Sequence, residues 1–384
     1  MPINTERRRF LKQAAGFSSA AAALAGAPAI AASEPYCPPA SDLPDFSRAD
    51  VRINYNEYPL SVVESARDAL VSILGQTNRY RFDLQQQFTG RLAEHLGVHA
   101  EHLLLYPGSS WALLFMPELF TGPDRALVMA EPGYEACAQV CQRTGAPVHR
   151  VPLAADGSHD TNAMAGFDDA GLIYVVNPNN PTGTVTPRKA IEKLLADKPK
   201  DAVLLVDEAY IHFSDERSMA GLVADHPDLV VLQTFSKIYG MAGLRCGFAV
   251  ASGETKDRLA SRSAGAAFLP NTAIVAADAS IADADLVPSR KAYTAGIRRD
   301  TIAWLKAQGV PCTDSRSNCF MMNVGQPGKE IAKALAEEGV LVGRSWAAWP
   351  NWIRVSIGTP KEMDAFKQAF ARVWQKLGDG SESG

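Results

Sequence analysis

Five short, largely apolar runs constrain this chain more than any other feature: Ala126–Ala130, Leu172–Val176, Ala202–Val206, Leu229–Thr234 and Gly247–Val250. A strand with one wet face alternates apolar and polar residues. Unbroken apolar runs of this length, separated by helical stretches, belong instead to a sheet covered on both faces. The expected architecture is therefore α/β. Upstream, Ser61–Leu74 reads as a helix, with Ser61 able to cap it, Glu64 completing a capping box and Gly75 ending it. Leu84–Leu96 reads as a second helix, followed by Gly97. After about residue 265 the helices lengthen and strands thin out, leaving Phe320–Val324 and Trp352–Ile357 as candidate strands of a smaller domain. At 384 residues and 47% hydrophobic, the chain can bury two cores. The expected division is an N-terminal arm over 33–60, a large domain over 61–265 and a small α+β domain over 266–384.

The first 32 residues read differently. Glu6-Arg7-Arg8-Arg9-Phe10-Leu11-Lys12 precedes an uncharged Ala/Gly/Ser stretch, and Ala29 and Ala31 suit an A-x-A cleavage site. The pattern resembles a twin-arginine export signal, and the stretch is too weakly apolar for a spanning helix. Export to the periplasm is the expectation. Removal of the segment would take the formal charge from -4 to near -7. With no basic run beyond the first dozen residues, nucleic-acid binding has no electrostatic footprint. The six cysteines, Cys37, Cys137, Cys141, Cys246, Cys312 and Cys319, show no metal-like spacing and read as buried free thiols, although an exported protein is permitted disulfides.

Four motifs follow the apolar runs or lie near the C-terminus, and ligands of open α/β sheets bind at the carboxyl ends of strands. They are Asn177-Pro-Asn-Asn-Pro-Thr-Gly183, Asp207-Glu-Ala-Tyr210, the Ser236-Lys237 segment running to Arg245-Cys-Gly247, and Arg354-Val-Ser-Ile-Gly-Thr359. Asp207 ends an apolar strand, and a buried carboxylate needs a partner, so it is either a cap or a ligand group. Lys237 sits among uncharged residues, where an amine is costly unless it is neutral or covalently used; the alternative is a lysine reaching to the surface. Gly240, Gly243 and Gly247 allow close approach of a ligand. Pro178 and Pro181 can stiffen a turn that aims Asn180, or simply form a loop.

Together and in this order, the motifs resemble the class I/II aminotransferases of pyridoxal-phosphate (PLP) fold type I, and within them the histidinol-phosphate aminotransferase-like group. The resemblance runs from about residue 50 to 375, and Asn54-Tyr-Asn-Glu-Tyr-Pro59 is similar to that group's substrate-covering segment. It implies a mostly parallel seven-stranded sheet between helices. It implies that Lys237 holds the cofactor as a Schiff base and shuttles a proton, that Asp207 pairs with the pyridine nitrogen, and that Tyr210 and Asn180 bond the ring's phenolic oxygen. Tyr134 matches the residue stacking on the ring, or else packs in the core. Ser109, Ser110, Ser236 and Arg245 match phosphate ligands, although Trp111 stands where the family has an acidic or small residue. Tyr80 is similar to a tyrosine that reaches the phosphate from a second subunit, which implies a homodimer. Arg354 matches the arginine for the substrate α-carboxylate. Arg344, one residue off the family's distal-phosphate position, is either a reader of an acidic side chain or a surface arginine. The implied substrates are an L-amino acid and a 2-oxo acid. The same residues also serve β-lyases and PLP-dependent oxidases, the alternative reading.

Overall fold

The computed structural model describes residues 51–263 and 268–381. The segment expected to be an export signal, the expected arm up to residue 50 and Cys37 lie outside the described residues. The strands in chain order are β1 (Val51–Ile53), β2 (Leu103–Tyr106), β3 (Ala126–Glu131), β4 (Val148–Pro152), β5 (Ala170–Val176), β6 (Val203–Asp207), β7 (Leu229–Thr234), β8 (Gly247–Val250), β9 (Cys319–Asn323), β10 (Val340–Val342) and β11 (Trp352–Ser356). Seven of them form one sheet in the order β2-β8-β7-β6-β5-β3-β4. Only β8 runs against the rest, pairing antiparallel with β7 and β2. All five apolar runs are strands of this sheet.

Alternation along the central strands supplies two cores. Val128, Ile173, Val175, Leu204, Val206 and Val231 point into one layer. Leu127, Met129, Leu172, Tyr174, Leu205 and Leu232 point into the other. Full burial of each aliphatic side chain contributes about 1.5–3 kcal/mol. Two strands of this sheet escaped the sequence reading. β4 is an edge strand whose Val-His-Arg-Val-Pro alternates polar with apolar, and β2 is only four residues long.

A third core, with Ile53, Phe320, Met322, Ile353, Phe366 and Phe370, lies under two small sheets. β9 and β11 pair antiparallel. β1 pairs parallel with β10, in the register Val51↔Val340 and Ile53↔Val342. The N-terminal residues 51–53 are thus part of a sheet built otherwise from C-terminal chain.

The expected capping box is not formed. The first helix is Glu64–Ile73, its N-cap is Val63, and no side chain caps it. The carbonyl of Ser61 instead accepts a 2.5 Å bond from Arg290. The second helix, Phe82–Leu96, ends at Gly97 with φ +66° as expected. The long helix Leu286–Ala307 buries Arg290 and Arg298. Arg290 donates to the carbonyl of Ile238 (2.9 Å) and Arg298 to that of Ser317 (2.7 Å). These bonds satisfy buried guanidinium groups and hold the loops that follow Lys237 and precede Asn318. Among the described residues the five cysteines are free thiols, all but Cys312 buried.

Candidate active site

The carboxyl ends of β5, β6 and β7 deliver Asn177–Gly183, Asp207 and Ser236–Lys237 to one place, because neighbouring parallel strands end side by side. Asp207 is the last residue of β6 and is buried. One of its carboxylate oxygens accepts from the Tyr174 hydroxyl at 3.0 Å, the other from the Ala209 N–H at 3.1 Å. Burial raises its pKa to about 6, against the pull of Tyr174, the Ala209 N–H and Lys237. Its neighbour Glu208 has a different task. It accepts from Ser218, the Met219 N–H and Gln233, a closed structural network.

Lys237 lies 5.3 Å from the centre of the Tyr210 ring and donates to the Asn56 carbonyl at 3.1 Å. Burial, followed by the charge of Arg354, lowers its pKa to about 8. Asn56 is the hub that the sequence did not disclose. Its side-chain amide donates to the Tyr210 hydroxyl at 3.1 Å, to Cys319 Sγ at 3.3 Å and to Asn180 Oδ1 at 3.5 Å. Its own Oδ1 accepts from Ser356 at 2.9 Å, and Asn318 donates to its backbone carbonyl at 2.9 Å. It does so from the left-handed region, φ +55°, which asparagine tolerates better than other side chains. The only sequence signal was the Asn-Glu-Tyr-Pro string.

Arg354, on β11, donates to Asn180 Oδ1 at 2.9 Å and to the Asn54 carbonyl at 2.6 Å. Its Nε is buried without a partner among the described residues. The guanidinium lies 5.5 Å from the ring centre of Trp346, whose indole N–H donates to the Gly133 carbonyl at 2.9 Å. Arg344 stacks over the same ring at 4.1 Å and forms an ion pair with Glu135. Tyr134, in the turn after β3, is half-buried against the core layer below.

Beside Lys237 lies a second cluster. Arg245 donates to Ser236 Oγ at 3.3 Å and approaches Ser110 Oγ at 3.4 Å. Gly108, at φ +86°, faces this guanidinium so closely that a Cβ there would stand 2.1 Å from Arg245 Nη2. The helix Ser110–Phe120 begins at this point with Ser109 as its N-cap, so its free N–H groups and positive end face the cluster. Trp111 does not fill the cradle. It is 40% exposed and lies 5.6 Å from Phe115, along its own helix. A cavity of about 370 Å³ borders the cluster, lined in part by Ser236, Gly240, Glu57, Tyr58 and Ser356.

Lys237, Asp207, Tyr210, Asn180, Ser236, Arg245, Ser109, Ser110 and Arg354 therefore come together at the carboxyl ends of the sheet's parallel strands. Arg344 stands at the rim with its charge already met by Glu135. Tyr80 stands apart, 87% exposed and stacked on Phe82, which in turn meets Phe268 edge-on at 5.3 Å. A larger hollow of about 630 Å³ opens at the amino ends of the strands, among Asp124, Arg125, Asp168, Asp201 and Arg258, away from all of these groups.

Residues 49–370 match the family model of aminotransferase class I and II. The chain belongs to that family. It is thus an enzyme of amino-group transfer, and its relatives divide by substrate. It is 33% identical over 331 residues to histidinol-phosphate aminotransferase 1 of Cupriavidus pinatubonensis, covering 84% of this chain and 88% of that protein. It is 34% identical over 320 residues to an aromatic amino acid aminotransferase of Rhodococcus jostii, covering 82% and 88%. Histidinol-phosphate aminotransferase from Sinorhizobium meliloti, solved in complex with pyridoxal-5'-phosphate, superposes with a TM-score of 0.79 at 24% identity, over 86% of this chain and 92% of that one. That likeness speaks for the fold: a large, mostly parallel seven-stranded sheet with a smaller C-terminal domain.

Proposed function

We propose that this aminotransferase uses pyridoxal 5'-phosphate, held on Lys237, to move an amino group between an L-amino acid, or a metabolite bearing one, and a 2-oxo acid. The observation that carries the reading is the meeting of the Lys237 amine and Arg354 through Asn56 and Asn180, with the Asp207 carboxylate near enough to feel the Lys237 charge. The residues present fit the cofactor. Ser109, Ser110, Ser236 and Arg245, with the helix start at Ser110, form an anion cradle that a Cβ at Gly108 would fill. When bound, the cofactor supplies an electron sink for the charge left at a substrate carbon on loss of a proton.

The other steps belong to the chain. Lys237, with its pKa lowered to about 8, readily gives up its proton near neutrality, so it can act as nucleophile and then carry a proton. Asp207 offers a buried carboxylate to a ring nitrogen. Tyr210 and Asn180 offer polar groups to a ring oxygen, and Tyr134 an aromatic face. Arg354 offers two guanidinium nitrogens, now on Asn180 and Asn54, to a substrate carboxylate. Arg344 has already met a carboxylate in Glu135, which favours substrates without a free distal anion over those with one.

Two wider readings accompany this one. The exposed aromatic patch of Tyr80, Phe82 and Phe268 suits an interface with a second copy, from which Tyr80 would reach the partner's phosphate cradle. The Arg7-Arg8 segment supports twin-arginine export and a periplasmic amino donor; uncleaved protein confined to the cytosol would refute this. The activity is tested by adding L-amino acids singly to the purified protein. Conversion of the bound cofactor to its amine form, reversed by a 2-oxo acid, is expected. Release of ammonia without a stable amine form would favour a lyase or oxidase. Lys237→Ala should abolish both the bound-cofactor absorbance and turnover while the protein stays folded.

A further inference from the structure

The carboxylate of Asp207 is reached from below, out of the protein interior, by a group outside the four motifs. Tyr174 lies in mid-strand on β5, opposite Leu205 in the register, and Val176 lies opposite Asp207. Its ring therefore points into the same layer as Asp207, and its hydroxyl rises 3.0 Å from Asp207 Oδ2. Both residues are almost wholly buried, Tyr174 at 1% and Asp207 at 3% exposure. The ring is packed among Leu127, Met129, Leu205 and Leu172. A tyrosine hydroxyl in such a layer needs a partner, and Asp207 is the one it has.

We infer that Tyr174 is a positioning residue for amino-group transfer: its hydroxyl bond from beneath the sheet end keeps Asp207 ionised and oriented for a cationic partner on the site side. The inference rests on the cofactor reading given above. The groups facing Asp207 leave this task to few others. Cys137, on the helix Ala136–Thr144, and Tyr210 are pushed up in pKa by burial and stay neutral. Tyr174 is itself pushed far up by burial and by the Asp207 charge, so it never loses the proton it donates. The remaining support is the Ala209 N–H, which backbone geometry supplies whatever the side chain, and the charge of Lys237, which acts on Asp207 more weakly than either hydrogen bond. Among the described residues, Tyr174 is then the one side chain that donates a hydrogen bond to Asp207.

The sign follows from linkage. Burial already holds Asp207 near a pKa of about 6, and removal of a donor to the charged form moves it higher. A carboxylate protonated at neutral pH no longer pairs with a ring cation. The test is the apparent Kd of the full-length protein for pyridoxal 5'-phosphate, read by absorbance without substrate from about pH 5 to about pH 8. Tyr174→Phe keeps the ring and removes the hydroxyl. Its midpoint for loss of cofactor should move up by about one to two pH units relative to the parent, the size of a hydrogen bond to a charged group. 3-Fluorotyrosine at position 174, a stronger donor of nearly the same shape, should move it down. Coincident midpoints in parent and Tyr174→Phe would overturn the inference and leave the cofactor reading intact. A parent protein that takes up no cofactor at any pH would overturn both. Should the phenylalanine variant not fold, the direction of the fluorotyrosine shift decides alone, and no shift refutes.

Discussion

Replacing Asn56 separates two quantities that its position combines. Asn56→Ala removes the 3.1 Å bond to Tyr210 and the 2.9 Å bond from Ser356. Two neutral buried hydrogen bonds are together worth about 2 kcal/mol. Alanine must also hold φ +55°, which costs a residue with a Cβ about 1–2 kcal/mol. The alanine variant should thus lose about 3–4 kcal/mol. Asn56→Gly removes the same bonds but pays no left-handed penalty, so it should lose about 2 kcal/mol, to which the greater freedom of glycine in the unfolded chain adds about 0.5 kcal/mol. Urea denaturation of the cofactor-free protein measures both variants in parallel. The prediction is an ordering: parent above glycine above alanine, with about 1 kcal/mol between the two variants. An alanine variant as stable as the glycine variant would show that the backbone there relaxes out of the left-handed region. A parent no more stable than either would show that the Asn56 network contributes nothing net.

Three further outcomes are expected. The rate at which the cofactor-free protein takes up pyridoxal 5'-phosphate should rise with pH and level off above about 8, because the Lys237 amine must be neutral to react; a rate flat across that range would contradict its depressed pKa. Gly108→Ala should weaken retention of cofactor, or of inorganic phosphate as a probe, by about tenfold or more, since the added methyl meets Arg245 at 2.1 Å and must adopt φ +86°; unchanged retention on dialysis would remove Gly108 from the cradle. Burial lowers the His159 pKa to about 4, so the unfolded chain takes up protons first as the pH falls, and stability should decline between about pH 6.5 and about pH 4. Its Nε2 accepts the Val176 N–H, which requires the neutral form, while Nδ1 is left to donate to Thr186, and His159→Gln should flatten the decline seen in melting temperature against pH.

How much of this was legible beforehand divides along physical lines. Features set by near neighbours in the chain were readable. The apolar runs became strands of the large sheet because unbroken burial on both faces leaves no other use for them. Asp207 and Lys237 stood out because a charge directly after such a strand demands a partner. Features set by distant partners were hidden. Ser61 and Glu64 spell a capping box, yet Arg290, 229 residues further along, takes the Ser61 carbonyl. Arg344 reads as an open cation until Glu135 is found beside it, 209 residues away in sequence. Tyr174 reads as one more apolar residue of β5, and its hydroxyl acquires meaning only from the end of the next strand. The departure at Trp111 resolves the same way: the helix turns the indole outward onto Phe115, away from the cradle.

The pairing of β1 with β10 carries a consequence for biosynthesis. Asn54 and Asn56 meet Arg354 and Ser356 across 300 residues of sequence. A chain emerging from the ribosome presents its amino-terminal segment first and that segment's mates nearly last. The large sheet is complete at Val250, more than one hundred residues before Ser356 has been added. Until then, Val51–Ile53 lack their β10 mates and Asn56 lacks Asn318 and Ser356, so the hub around Lys237, Tyr210 and Asn180 is incomplete. Closing so long a loop costs only logarithmically more than closing a short one, so the delay is a matter of order rather than of stability. A translation product truncated ahead of β10 would carry Lys237 and the proposed anion cradle of Ser109, Ser110, Ser236 and Arg245, but neither Arg354 nor Ser356 to bond Asn180 and Asn56.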